Sequence, residues 1–200
     1  MIRLLKTLIL TAVVAFSAAA TDYKIDPAHS SANFSVTHMG LSKVRGAFGN
    51  VQGVVSYDPA SLAVTKVEAT VDVTTVNTND AKRDGHLKSA DFFEVDKFPT
   101  MKFVSNKVEK VQNGLKAAGD LTIKGVTKAV VLNIEGPTEE IKDMRGMRRR
   151  AASATTRINR KDFGVSFNRV LDTGGLMISD EVDITLDIQF AAPAATASAK

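Results

Sequence analysis

The chain has 200 residues, 44% of them hydrophobic and 24% charged, the balance of one globular domain with enough apolar material for a sizeable core. It has no cysteine, which excludes disulfides, thiolate metal sites, a thiol nucleophile and acylation at the end of a cleaved leader. Its formal net charge of +4 falls to +2 once the leader carrying Arg3 and Lys6 is removed, so net charge points to no particular partner.

Arg3 and Lys6, an apolar run over residues 7–16 and the small residues Ala18, Ala19 and Ala20 have the three-part pattern of a secretory signal peptide. The apolar run is short against the roughly 20 residues that cross a bilayer. Export is therefore expected, with residues 1–20 removed and no stable membrane anchor left on the mature protein.

Residues 23–27 read as a lead-in ended by proline. Over residues 31–38, Ala32, Phe34 and Val36 share one phase and His38 follows in it. Met39-Gly40 turns the chain into a long strand over 44–57, whose apolar phase changes from Val44, Gly46 and Phe48 to Val51, Gly53, Val55 and Tyr57. A slip of one residue turns every side chain to the other face, so a bulge or sharp bend is expected at Gly49. After a turn at 58–61, the apolar set Ala63, Val67, Ala69, Val71 and Val73 alternates with Lys66, Glu68, Thr70 and Asp72.

Residues 78–93 do not alternate. Thr78 or Asn79 offers an N-cap, Asp80 sits where the helix dipole favours an acid, and no proline interrupts residues 81–90, so a short helix is expected over 79–90. Its apolar content, Ala81, Leu87 and Ala90, is too poor for a core helix. It is expected to lie across one end of the sheet as a lid, with Leu87, Phe92 and Phe93 pointing inward.

A strand with less regular phase runs from residue 100 to about 111, and Asn113-Gly114 is a strong hairpin signal. Leu115, Ala117, Gly119, Leu121 and Ile123 mark the next strand, and Val130, Leu132 and Ile134 the one after. Residues 137–146 are polar, an extended hairpin end. Residues 148–158 form a strand with Ala152, Ala154 and Thr156 in phase with Ile158; residues 161–164 break it, and a glycine-containing loop over 165–180 precedes the last strand, Val182, Ile184, Leu186, Ile188 and Phe190. The tail over 191–200 is low in complexity and expected to be disordered.

Eight strand candidates joined mostly by hairpin-length turns pair sequentially by default. With one buried face each, they close into an antiparallel barrel capped by one short helix; a two-sheet sandwich is the alternative. Much of the inward set is small: Ala32, Gly46, Gly53, Ala63, Ala69, Ala117, Gly119, Ala152 and Ala154. Such an interior leaves room for one small apolar ligand.

Few residues invite catalysis. His38 and His86 with Asp84 have the composition of a catalytic metal set, but no spacing matches a metal motif, and no Gly-x-Ser-x-Gly elbow is present. Neither metal nor cofactor is expected. Arg83 and Arg45 each read as a surface ion pair or as a contact for an anionic head group. The run Arg145, Arg148, Arg149 and Arg150, with Arg157, Arg160 and Lys161, reads as an anion-binding cluster or as a solvated strand end. No aromatic residue interleaves it for base stacking, so nucleic acid is not expected as a partner.

Five separated motifs, with Pro99 beside them, resemble in order those of the YceI family of polyisoprenoid-binding periplasmic proteins, over residues 22–190. They are His29-Ser30 with Phe34-Ser35-Val36-Thr37-His38-Met39-Gly40; Val44-Arg45-Gly46-Ala47-Phe48; Arg83-Asp84-Gly85-His86-Leu87-Lys88-Ser89-Ala90-Asp91-Phe92-Phe93; Gly119-Asp120-Leu121-Thr122-Ile123-Lys124-Gly125-Val126-Thr127-Lys128; and Asn159-Arg160-Lys161-Asp162-Phe163-Gly164. Tyr57-Asp58 stands where the family usually has Phe-Asp, and the run at 148–150 carries more charge than the family leads one to expect. The resemblance implies a lipocalin-like barrel that holds the chain of a polyisoprenoid or similar long-chain amphipathic lipid, in the periplasm and without catalysis.

The expected ligand set is Phe34, Val36, Phe48, Val71, Leu121, Ile134 and Leu186 along the wall. Leu87, Phe92 and Phe93 lie under the lid, and His38, Arg45, Arg83 and His86 at the rim. Homodimerisation is left open. The rival readings are a metal-dependent or acid/base hydrolase using His38, His86 and Asp84, and a secreted interaction module whose barrel is filled by its own side chains.

Overall fold

The structure, a computed structural model, describes residues 20–58, 61, 63–172 and 174–194. Residues 1–19 and 195–200, which hold most of the expected leader and part of the expected tail, lie outside them. Eleven strands form one antiparallel sheet: β1 (Thr21–Ile25), β2 (Ser31–His38), β3 (Ser42–Phe48), β4 (Gln52–Asp58), β5 (Ala63–Asp72), β6 (Thr100–Val111), β7 (Gly114–Ile123), β8 (Val126–Glu135), β9 (Ile141–Lys142), β10 (Arg148–Asn159) and β11 (Glu181–Ala192). The one α-helix among the described residues, α1 (Ala81–Lys88), lies between β5 and β6.

Pairing of β10 with β11 closes the sheet into a ring. β1 and β2 lie end to end along β11, with Lys24 opposite Ala191 and Ala32 opposite Leu186. β3 and β4 lie end to end beside them. The ring therefore has eight wall positions, and the expected barrel, not the sandwich, is the architecture. Its seams are unequal. β10 pairs with β11 over twelve residues but with β8 over only three, Ser153 to Thr155 against Glu135 to Asn133.

Several expectations change at the level of single residues. The lead-in is a strand, β1, with Tyr23 and Ile25 buried; two inward residues before a proline are too short an alternation to read as one. The long strand does break where its phase changes, but the left-handed residue at the break is Asn50, with φ of 50°, while the Gly49 amide donates to Thr75 Oγ1 at 2.9 Å. In β5 the register shifts so that Val64 faces Tyr57 and Lys66 faces Ser56. The extra residue, Thr65, turns Val64 inward in place of Ala63. A second shift, at Asn106 in β6, accounts for the irregular phase of that strand. β11 runs two residues past Phe190, and Ala192 is fully buried.

At the end where β1 begins and β11 finishes, the interior is filled. Tyr23 meets Tyr57 and Phe190 edge to face, with centroids 6.3 and 5.7 Å apart. Arg148 and Arg150 share the inward phase of Ala152, and their guanidinium groups lie 5.4 Å from the Tyr23 ring centre and 4.4 Å from that of Tyr57. The Tyr23 hydroxyl donates to Glu140; burial first, and that contact second, push the phenol above its usual pKa. Arg150 Nη1 donates to Thr138 O at 2.8 Å and Arg148 Nε to Pro193 O at 2.9 Å. Two arginines of the run thus plug the barrel, neither as a solvated strand end nor as an open anion site.

Arg149 points outward and donates to Asp26 at 2.8 Å and to Asp143 at 2.7 Å. These bonds are the leading cause that holds both carboxyls below the usual carboxylate range. A carboxyl whose folded pKa is depressed adds stability above its unfolded pKa and loses it as pH falls through the folded value. Arg149→Met should therefore melt earlier than the parent at pH 7, with the difference shrinking below about pH 4. Melting temperatures of both proteins across that range check it; a constant difference would remove Arg149 from the acid limb.

Candidate ligand-binding cavity

Toward the other end the interior is empty. A cavity of about 690 Å³ runs down the barrel, within the size range of small-molecule sites. Every wall position contributes apolar side chains, among them Phe34 of β2, Phe48 of β3, Val55 of β4, Val71 of β5, Phe103 of β6, Leu121 of β7, Ile134 of β8 and Leu186 of β11. Ala32, Ala69, Ala152 and Ala154 line it as well, and their short side chains leave the space.

The other small residues have different jobs. A Cβ on Gly46 would lie 2.4 Å from the Phe34 ring, and one on Gly119 would lie 2.3 Å from Val104 O. These glycines admit a neighbour and do not enlarge the cavity. Ala117 is fully buried in a cluster with Phe103 and Leu132, off the lining.

α1 covers this end, as expected of a lid, but it is shorter than 79–90. Its N-cap is Asp80, whose carboxylate accepts from the Arg83 amide at 3.0 Å, a bond that keeps the Asp80 carboxyl below its usual range. Asn79 is left-handed, with φ of 61°, so the chain has not yet entered the helix there. Thr78 is buried at 5% exposure and belongs to a clamp. Its amide and hydroxyl donate to Asp84 Oδ1 at 2.8 and 2.5 Å, and its Oγ1 and O accept from Arg83 Nε and Nη2 at 2.7 and 2.8 Å. Arg83 and Asp84 thus share a threonine and do not pair with each other.

Leu87 and the residues after the helix seal the wall. Phe93 packs on Phe48 at 5.6 Å, and Phe92 on Phe167 at 5.1 Å. His86 stands edge-on to both Phe92 and Phe167, with Nε2 2.7 Å from Asp91.

The second cover is the loop over 160–180. Arg160, read from the sequence as part of a surface cluster, is 5% exposed and holds this loop down. Its guanidinium donates to Ser179 O at 3.0 Å, Val165 O at 2.7 Å and Phe167 O at 2.9 Å, and lies 3.3 Å from Asp180. Burial pulls its pKa below the usual arginine range, with Asp180 opposing. No local pattern announces such a residue, because the carbonyls it serves are defined only once the loop has folded.

The mouth lies between the two covers. Asp80, Lys82, Arg83 and His86 border it on the helix side, with Arg169, Met177 and Ile178 of the loop and Val36, His38 and Val44 of the β2–β3 hairpin opposite. The structure brings Phe34, Val36, His38, Phe48, Val71, Arg83, His86, Leu87, Phe92, Phe93, Leu121, Ile134 and Leu186 to one cavity. Arg45 is the exception and is corrected: the alternation that turns Val44 and Phe48 inward leaves it exposed, in a shallow outer groove beside Asp183 and Asn77. Asp84 is occupied by Thr78 and His86 by Asp91, and among the described residues no three His, Asp or Glu side chains converge as a metal set.

A closed antiparallel ring of eight wall positions with a mostly apolar interior and a short helical cover is a lipocalin-like barrel. More narrowly, the YceI-like domain model matches residues 23–190, and the chain belongs to that family. It is 42% identical over 157 residues to a UPF0312 protein of Vibrio cholerae, covering 76% of this chain and 82% of that one. The crystal structure of a Campylobacter jejuni YceI protein superposes with a TM-score of 0.66 at 31% identity, covering 78% of this chain and 89% of that one. A polyisoprenoid binding domain from Saccharophagus degradans, 17% identical, shares the fold with a TM-score of 0.61 over 86% of this chain and 98% of that one.

Thr78→Val removes the hydroxyl shared by Arg83 and Asp84 while keeping its shape. It should cost about 1 kcal/mol, because Arg83 Nε loses its acceptor while the half-buried Asp84 keeps only the Thr78 amide. Urea unfolding measures this, and an unchanged midpoint would mean that the clamp does not hold the lid.

Proposed function

We propose that the protein binds a polyisoprenoid or similar long-chain amphipathic lipid, with the chain inside the barrel and the polar end at the mouth. We propose further that it is exported and carries or sequesters this lipid in the periplasm without catalysing a reaction. The observation that carries the reading is the cavity, about 690 Å³ lined almost throughout by aliphatic and aromatic side chains. Each methylene moved into such a space contributes about 0.8 kcal/mol, so a long chain binds usefully before any polar contact is made. Family membership and the polyisoprenoid binding domain of S. degradans support the ligand class. The leader supports export.

The mouth's polar residues divide into engaged and available groups. Arg83 donates to Thr78, whereas Lys82 and Arg169 are exposed at the mouth and are the better placed to meet an anionic head group. A hydrolase built on His38, His86 and Asp84 has less support, because Asp84 and His86 already serve Thr78 and Asp91.

Ala69→Phe with Ala152→Phe places two rings in the cavity. The double variant should keep a β-rich circular dichroism spectrum and lose uptake of a fluorescent prenyl analogue; unchanged uptake by the folded variant would mean that the lipid is not inside. Lys82→Ala with Arg169→Ala should weaken a prenyl diphosphate roughly ten-fold more than the matching prenol, given the modest worth of exposed ion pairs. Dissociation constants for the two ligands decide it, and equal shifts would remove both residues from head-group contact.

A further inference from the structure

We infer that the protein docks mouth-first on a phospholipid bilayer, through the tip of the β2–β3 hairpin and the loop between β10 and β11. This rests on the reading of the cavity as a lipid site and adds the surface from which that site is loaded. Met39 and Leu41 on the hairpin tip are 42% and 84% exposed, and Val170 and Leu176 on the loop are 73% and 41% exposed. The two tips are tied together: the Met39 amide donates to Met177 O at 2.8 Å, His38 bridges Ile178, and Val170 bridges Leu176. They therefore lie side by side on one edge.

That edge continues the cavity. His38, Arg169 and Met177 line the mouth, and each is followed or preceded in the chain by one of the exposed apolar residues, Met39, Val170 or Leu176. The exposed apolar side chains thus adjoin the rim of the cavity. Cations flank them: Lys82 and Arg169 at the mouth, and Arg45 on the outer face of β3. Apolar tips that reach past the head groups, with cations at the level of the phosphates, are the chemistry of a peripheral membrane contact.

A second protein molecule fits less well. Four side chains standing out from two loop tips fall short of the roughly 800 Å² per partner of a stable protein interface, whereas a bilayer accepts single projecting residues. Docking also answers a physical need. A chain drawn through water would pay about 0.8 kcal/mol for every exposed methylene, and a mouth pressed to the bilayer lets it pass without that exposure.

Flotation with mixed phosphatidylethanolamine–phosphatidylglycerol vesicles tests the inference. The parent should float with the vesicles, and Leu41→Asp with Val170→Asp should lower the bound fraction at least about ten-fold. Met144→Asp, at an exposed apolar residue at the opposite end of the barrel, should leave it unchanged. The double variant should still take up a short, water-soluble prenyl analogue in the absence of vesicles, because neither residue lines the cavity. A parent that stays behind, or a double variant that floats as the parent does, overturns the inference. So does a parent dimer that the same substitutions disperse in sedimentation, since a second copy would then cover the edge. Failure of the parent to take up the soluble analogue, with the flotation difference intact, would overturn the lipid-site reading alone and leave membrane docking standing.

Discussion

Hydrogen bonding of β11 along both edges is the constraint on which the rest of the structure depends. One edge holds β10 over twelve residues, and the other holds β2 and then β1. Without it the sheet would have two open edges and no inside. With it, strand number and tilt set a girth at which the interior can be either just filled or left hollow, according to side-chain size. The chain does both. Aromatic rings and two arginines fill one end, and beyond them short side chains such as Ala32, Ala69, Ala152 and Ala154 leave the interior hollow.

The two ends are closed by different means. The plug is made mainly by the wall strands themselves, whose side chains at Tyr23, Tyr57, Arg148 and Arg150 point inward from paired backbone. The mouth is covered by segments that cross over it, and neither has a core of its own. Each is held at a polar anchor: Thr78, shared between Arg83 and Asp84, for the helix, and Arg160, shared among three carbonyls, for the loop. Buried polar groups of this kind stabilise a single geometry because every alternative leaves donors or acceptors unmet. The covers are thus positioned by hydrogen bonds, while Leu87, Phe92, Phe93 and Phe167 supply the seal.

Strand alternation carried most of the fold. β7 and β11 keep phase from end to end, Asn113-Gly114 marks the turn it should, and the surplus of small inward residues gave reason to expect a hollow barrel. The cavity wall was legible for the same reason, since phase alone places Phe34, Val71, Leu121 and Leu186. What escaped depends on register or on distant partners. The shifts at Thr65 and Asn106 alter which residues face inward, and nothing local distinguishes Val64 from Ala63. Arg148 and Arg150 have the inward phase, but charge suggests solvent until Tyr23 and Tyr57 are known to lie beneath them. The small residues also look alike in sequence: Ala69 leaves space, while Gly119 is small because the backbone of β6 lies against it. Arg45 was misplaced because an arginine beside an inward valine invites a role that its own phase denies.

The three-residue seam between β8 and β10 has a mechanical meaning. A ring resists stretching only as well as its weakest joint. Widening would break longer ladders at other joints, such as the nine paired residues of β7 and β8, whereas at this joint it meets three, with Thr138 bonded to Ala151 and the two pairs of β9 beside them. The shell is therefore stiff around most of its circumference and compliant along one line. A wall built this way can widen along that line without repacking the other seven joints.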